Sequence, residues 1–140
     1  MSKSKLVRVS FSIEEPLFEK LGQLIRGTRY QNRSEFIRDL IRGRCVAEQW
    51  EKNEEALGTV TLIFDHGKRQ LSEKLTHLQH EHHTAVLVST HLHLTEKLCA
   101  EVIVIKGKAT EIRHIADSLG QQKGVLHSAL SMSSTGKQLK

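Results

Sequence analysis

With 140 residues the chain has room for one ordinary domain or two small ones, and two small ones would lean on oligomerisation for part of their core. Lysine and arginine number 21 against 16 aspartates and glutamates, a net charge of +5 and a mild basic bias compatible with nucleic acid. No apolar run is long enough to span a bilayer, the N-terminus lacks the apolar stretch of a secretory signal, and Cys45 and Cys99 make no disulfide framework, so no membrane span is expected and a cytoplasmic, thiol-reduced chain is.

In chain order, residues 6–13 alternate. Val7, Val9, Phe11 and Ile13 point one way and Arg8, Ser10 and Ser12 the other, the pattern of a strand with one buried and one polar face. Pro16 sits where a first helical turn tolerates proline, and Leu17, Leu21, Leu24 and Ile25 trace a short amphipathic helix ending near Gly27. Asn32 and Ser34 offer capping side chains to a second helix from about Ser34, with Phe36, Ile37, Leu40, Ile41 and Cys45 on one face. The polar stretch EQWEKNEEALG reads as helix end and linker. From Gly58 the pattern changes to a strand (TVTLIF), a helix over 68–83, strands over 84–94 and 98–106, a helix over 110–121 and a strand over 124–132. That order, β-α-β-β-α-β, is ferredoxin-like. The expected organisation is α+β: an N-terminal domain 1–50, a linker 51–57, a ferredoxin-like (ACT-like) domain 58–133 and a frayed tail 134–140.

A single strand followed by two helices leaves its ladder unpaired, so a partner must supply the other half. Two copies of residues 6–13 paired antiparallel make a ribbon backed by four helices, of a size that fits the B-DNA major groove. Arg8, Ser10 and Ser12 would line its exposed face, where arginine reads guanine bidentately and serine serves several base edges. Asn32, Arg33 and Ser34, at the start of the second helix, suit phosphate contacts through backbone N–H groups. Residues 1–44 carry ten basic and five acidic side chains, hence the whole surplus of charge. The segment VRVSFSIEEPLFEKLGQLI…NRSEFIRDLIR resembles the ribbon-helix-helix repressors over about 45 residues.

Nine histidines are the unusual number, and seven of them, His66, His77, His80, His82, His83, His91 and His93, fall in one stretch. Histidine is the commonest metal ligand. If Leu94 pairs with Leu98 across the Thr95-Glu96-Lys97 turn, His93 lies opposite Cys99 with Cβ atoms about 5 Å apart, and His91 is one step further on the same face. On the preceding helix, Leu71, Leu75 and Leu78 mark the buried stripe, and His80 falls opposite it, toward solvent or a neighbouring chain. Of the two faces of the hairpin, the one with Val86, Val88, Leu92, Ala100, Val102 and Val104 is expected to meet the helices. The other, with Leu87, Ile103 and Ile105, is expected to be helix-free and to invite sheet packing between subunits. His91, His93 and Cys99 of one subunit with His80 of another then form a plausible site. Three imidazoles and a thiolate suit Zn, Cu or Ni, and spacing does not choose between them.

The run QHEHHTAVLVSTHLHLTEKLCAEVIVIKG resembles the metal-binding core of the nickel-responsive regulator family (NikR), and with the N-terminal match the resemblance spans about residues 6–132. It implies Ni(II) as cofactor, held in square-planar geometry across a subunit interface by the matching positions His80, His91, His93 and Cys99. It further implies a homotetramer, a dimer of dimers, that binds a double-stranded DNA operator and represses nickel uptake genes. Glu81 interrupts the family's histidine run, and Phe64 stands where some relatives carry tyrosine. By the same resemblance Lys68 and Arg69 contact the DNA backbone from the metal domain, and Glu35 and Asp39, one helical turn apart, hold a second cation between the domains. Alternatives to this reading are a sensor of Cu or Zn and an antitoxin-like DNA-binding protein with a protein-interaction domain. A zinc enzyme is a weaker rival, because four protein ligands leave no open position and no general base lies near the hairpin.

Overall fold

A computed structural model describes residues 5–139, except for the side chain of Arg69. The chain divides into two compact units, one running to Cys45 and taking in the terminal residues from Gln138, the other Val46–Lys137. Among the described residues no helix is long and apolar enough to cross a membrane.

The first unit is helical. Residues 5–14 carry no regular secondary structure in the single chain, and the strand expected over 6–13 was one that pairs with a second copy. The physical reason is that a strand's N–H and C=O groups are satisfied by a neighbour, and this segment has none within one chain. Its apolar side chains are accordingly bare, with Leu6 84%, Val7 78% and Phe11 61% exposed. Helix α1 (Glu15–Arg26) has Pro16 in its first turn and is closed by Gly27, whose N–H reaches Gln23 O. Helix α2 (Arg33–Glu51) begins where the Asn32 side chain accepts the Glu35 N–H at 3.0 Å, the capping bond its sequence position predicts. Tyr30 packs edge-on against Phe36 (centroids 5.2 Å apart), and the Arg33 guanidinium lies 4.5 Å from the centre of the Phe18 ring. Leu17, Leu24, Leu40 and Ile41 stay exposed.

The second unit is built from β1 (Glu55–Asp65), α3 (Arg69–Glu81), β2 (Val86–His93), β3 (Leu98–Lys108), α4 (Ala109–Gly120) and β4 (Val125–Ser133). The four strands form one sheet in the order β2-β3-β1-β4, with every neighbouring pair antiparallel, the ferredoxin-like topology expected from the element order. β1 starts at Glu55, inside the stretch read from sequence as linker. The last turns of α2 also belong here: Trp50 joins the core and its indole N–H donates to Ser133 O at 2.9 Å. After β4, Lys137 pairs with Glu55 at 3.2 Å and Arg42 donates to Leu139 O at 3.4 Å.

The core lies between the sheet and α3 and α4. Val60, Leu62, Phe64, Ile103 and Ile105 from the sheet meet Leu71 and Leu75 of α3 and Ile112, Ile115 and Leu119 of α4. The two faces of the hairpin are therefore the reverse of the expectation. The set with Cys99, Ile103 and Ile105 faces the helices, and Val102, Val104, Thr90 and Leu92 occupy the helix-free face with Thr59, Thr61 and Ile63. Alternation separates two faces but does not say which one is covered when both are apolar; the hand of the β-α-β crossover decides that. A bulge between Val86 and Val88 moves Val86 to the covered side and leaves Leu87 and Val88 exposed.

Candidate metal centre and nucleic-acid interface

The β2-β3 hairpin has the register read from sequence. His93 pairs with Cys99 and His91 with Glu101, and Leu94 N–H donates to Leu98 O at 2.9 Å. The Thr95 hydroxyl accepts the Leu98 N–H at 3.0 Å and the Lys97 N–H at 3.3 Å, which holds the turn tight. Cys99 is flanked on its other side by Phe64 of β1 and is fully buried, while His91 and His93 are exposed at the sheet edge. The Cys99 Sγ lies 3.5 Å from His93 Nδ1, and the His91 and His93 rings are 5.0 Å apart. A soft thiolate at the floor and imidazoles at the rim make a donor set suited to a borderline transition-metal ion.

His80 is not brought to this cluster within the chain. It is exposed near the end of α3, beside a surface hollow with Ser72, Glu73, Thr76 and His77. It points away from its own core, as the helical spacing predicts, and Leu71 and Leu75 are buried on the opposite side. Its neighbour Gln79 turns inward and donates to Glu101 Oε1 at 2.7 Å, and the Ser89 hydroxyl donates to the same oxygen at 2.6 Å. One carboxylate on β3, opposite His91, thus fastens the last turn of α3 to the hairpin.

Sequence reasoning left His66 out of the donor set. The structure places its ring 5.5 Å from His93 and 6.2 Å from His91, and donor atoms of His66, His91, His93 and Cys99 lie within 4.8 Å of one another. The signal was present: β1 and β3 are neighbours in this topology, and the pairings Phe64 with Cys99 and Asp65 with Leu98 bring the residue after β1 to the foot of the hairpin. Phe64 itself is buried with its ring 5.8 Å from His91, an apolar wall without a hydroxyl.

Arg8, Ser10 and Ser12 are exposed in the segment ahead of α1. Asn32, Arg33 and Ser34 gather at the start of α2, with the Asn32 oxygen engaged as a cap and Ser34 O accepting from Arg38 Nε at 3.3 Å. Asp39 is engaged on both oxygens, by the Tyr30 hydroxyl at 2.8 Å and by Arg42 at 3.0 Å, while Glu35 accepts the Gln31 N–H at 3.4 Å. The bond to Tyr30, and then that to Arg42, hold the Asp39 carboxyl below its ordinary range; the same bond to Asp39 raises the Tyr30 phenol. Lys68 precedes α3, and its methylene stem lies against Gly124, where a Cβ would stand 3.1 Å from Lys68 Cδ. Gly124 has φ +108, so glycine is required there on backbone grounds too. Lys74 and Lys123 share that hollow with Lys68, giving a locally cationic surface. The side chain of Arg69 lies outside the described residues.

Comparison with known proteins follows the same division. Residues 57–133 match the family described as NikR C terminal nickel binding domain, and residues 7–48 match the ribbon-helix-helix protein, copG family. The chain is 49% identical over 134 residues to a Geobacter sulfurreducens protein named "Putative nickel-responsive regulator", covering 95% of this chain and 96% of that one. A Pyrococcus horikoshii protein of the same name is 46% identical over 136 residues, covering 96% of this chain and 99% of its own. Among solved structures, an uncharacterized protein from Thermotoga maritima aligns with TM-score 0.51 at 18% identity, over 56% of this chain and 98% of its own, a likeness of fold alone.

Proposed function

The chain belongs to the family of nickel-responsive regulators with a ribbon-helix-helix DNA-binding domain, a family of transcription regulators and not of enzymes, and on that premise we propose that it is a nickel-dependent repressor of nickel uptake genes, acting in the cytoplasm as a homotetramer built as a dimer of dimers. The observation that carries the reading is the pairing of His93 with Cys99, with His91 on the same face. These three residues would hold Ni(II), and His80 from a second copy would complete the set. The bare apolar side chains of residues 6–11 support pairing of two N-terminal segments into a ribbon. The helix-free face of the sheet, lined by Thr59, Thr61, Ile63, Val102 and Val104, supports packing of a second copy there.

Bound nickel would supply coordinate bonds linking α3 of one copy to the hairpin of another. The chain's own residues do the rest. Glu101, through Gln79, holds the end of α3 at a set distance from the hairpin, so that His80 is presented in a defined place. Arg8, Ser10 and Ser12 read base edges, Asn32, Arg33 and Ser34 position the ribbon on phosphates, and Lys68 and Arg69 add phosphate contacts from the metal domain. Glu35 and Asp39 would take a second cation once Arg42 swings away from Asp39. Regulation requires the metal to bind the DNA-competent arrangement more tightly than the others, since equal affinity shifts nothing.

Nickel titration followed by absorption spectroscopy and operator footprinting tests the reading. Expected are a d–d band of planar Ni(II), a sulfur-to-metal charge-transfer band lost in Cys99→Ala, and operator protection that requires nickel. Operator binding indifferent to every metal would favour the antitoxin-like alternative. Protection driven by Zn or Cu, with nickel inert, would make the chain a sensor of that other ion.

A further inference from the structure

We propose that Phe18 is a positioning residue for DNA binding: its ring holds the Arg33 guanidinium at the start of α2, where that group meets the DNA backbone. The proposal rests on the reading of Asn32, Arg33 and Ser34 as phosphate-contacting residues and adds what keeps the charged one in place. Phe18 lies on α1, and the Arg33 guanidinium carbon stands 4.5 Å from the centre of its ring. A cation within about 6 Å of a ring centroid is drawn to the negative face of the ring. Arg33 is exposed and the Phe18 ring is itself 42% exposed, so the pair sits at the surface, where a DNA phosphate can reach the guanidinium.

The backbone under Arg33 is fixed locally. Asn32 Oδ1 accepts the Glu35 N–H at 3.0 Å, Glu35 accepts the Gln31 N–H at 3.4 Å in return, and Phe36 N–H donates to Asn32 O at 3.4 Å. These reciprocal bonds set the first turn of α2, which Arg33 opens. A cation in that place works against the helix dipole, so an arginine there does not serve the helix. Its long side chain loses rotamer freedom when it is held on a phosphate. Contact with Phe18 takes part of that loss when the unit folds, and DNA then has less left to order. Guanidinium suits both partners: its flat face packs on a ring, and its edge carries the N–H groups that phosphate oxygens accept. Phe18 also continues the stripe of Leu21 and Ile25, which are half-buried, so packing is the rival role that the test has to separate.

The test is a double-substitution cycle on the full, nickel-loaded chain. The probe is double-stranded DNA of mixed sequence, because phosphate contacts are blind to sequence. Fluorescence anisotropy follows binding over a range of NaCl concentrations. Phe18→Leu keeps apolar bulk and removes the ring; it is expected to weaken binding about two- to fivefold, and Phe18→Tyr to restore it. Arg33→Ala is expected to weaken binding more and to lower the salt slope by about one charge. In the Arg33→Ala chain, Phe18→Leu is then expected to add no further loss. An equal loss from Phe18→Leu in both backgrounds, or a change in sedimentation that accompanies it, would assign the ring to packing and overturn the proposal. Unaltered binding by Phe18→Leu would overturn it as well. Unaltered affinity and salt slope in Arg33→Ala would remove the phosphate contact itself, so that the underlying reading fails and the proposal with it.

Discussion

The two units solve the problem of a small core in opposite ways. Residues 46–137 close a sheet over Leu71, Leu75, Ile112, Ile115 and Leu119 and bury Phe64, Ile103 and Ile105 outright. The unit running to Cys45 leaves Val7, Val9, Phe11, Leu40 and Ile41 in water, and even Phe36, the best-buried apolar side chain among its described residues, keeps a relative exposure of 9%. The first arrangement closes its core within the chain; the second has its apolar surface still to bury, and on the proposed reading a second copy of the same segment covers it. The difference is that the metal half finds its core within one chain, whereas the DNA half, on the proposed reading, completes its core with a second copy.

Substitutions separate the halves. The largest effect is expected from Leu75→Ala, which opens a cavity beneath α3 and should lower stability by about 2–5 kcal/mol in denaturant unfolding. The same truncation at the exposed Leu40 should leave the monomer's stability nearly untouched and instead weaken self-association, read by sedimentation at low concentration. Comparable losses of stability at both positions would mean the first unit is as self-sufficient as the second.

Next in size is Cys99→Ala. It removes a buried donor from the hairpin, and nickel affinity should fall by more than the roughly 10–100-fold typical of outer-shell changes, with DNA contacts of the unliganded chain unaffected. Equilibrium dialysis measures it, and unchanged nickel uptake would remove the thiol from the site. Arg8→Ala should do the reverse, weakening operator binding by roughly 1–3 kcal/mol with nickel affinity retained. Unchanged operator protection would remove Arg8 from the base-reading set.

Lys68→Ala should weaken nickel-dependent binding to all sequences alike and reduce the salt slope by about one charge. A wild-type slope would confine DNA contact to the ribbon. The smallest effect concerns Asp39. Its carboxyl is lowered by Tyr30 and Arg42, so its contribution to stability is present above the ordinary aspartate range near about 3.9 and is lost as pH falls through the folded value. Tyr30 is raised, so its contribution is present below about 10 and is lost as pH climbs through its own folded value. Tyr30→Phe should raise the Asp39 pKa, read by carboxyl NMR titration, and should make operator binding more responsive to potassium if Asp39 takes a cation. No change in the Asp39 titration would show that the bond is not held in solution.

Much was legible in the chain alone. The order of elements in the second unit, the Asn32 cap, the outward aim of His80 and the pairing of His93 with Cys99 all follow from local rules, because capping, helical period and hairpin register act over a few residues. Three things needed the tertiary structure. Which hairpin face meets the helices depended on the crossover, since Ile103, Ile105, Val102 and Val104 are all apolar and alternation is symmetric between them. The place of Trp50 was hidden because a polar run surrounds it, and only the approach of β4 gives its indole a carbonyl partner at Ser133. His66 joined His91, His93 and Cys99 because β1 pairs with β3 across more than thirty intervening residues, a long-range contact that local periodicity does not encode.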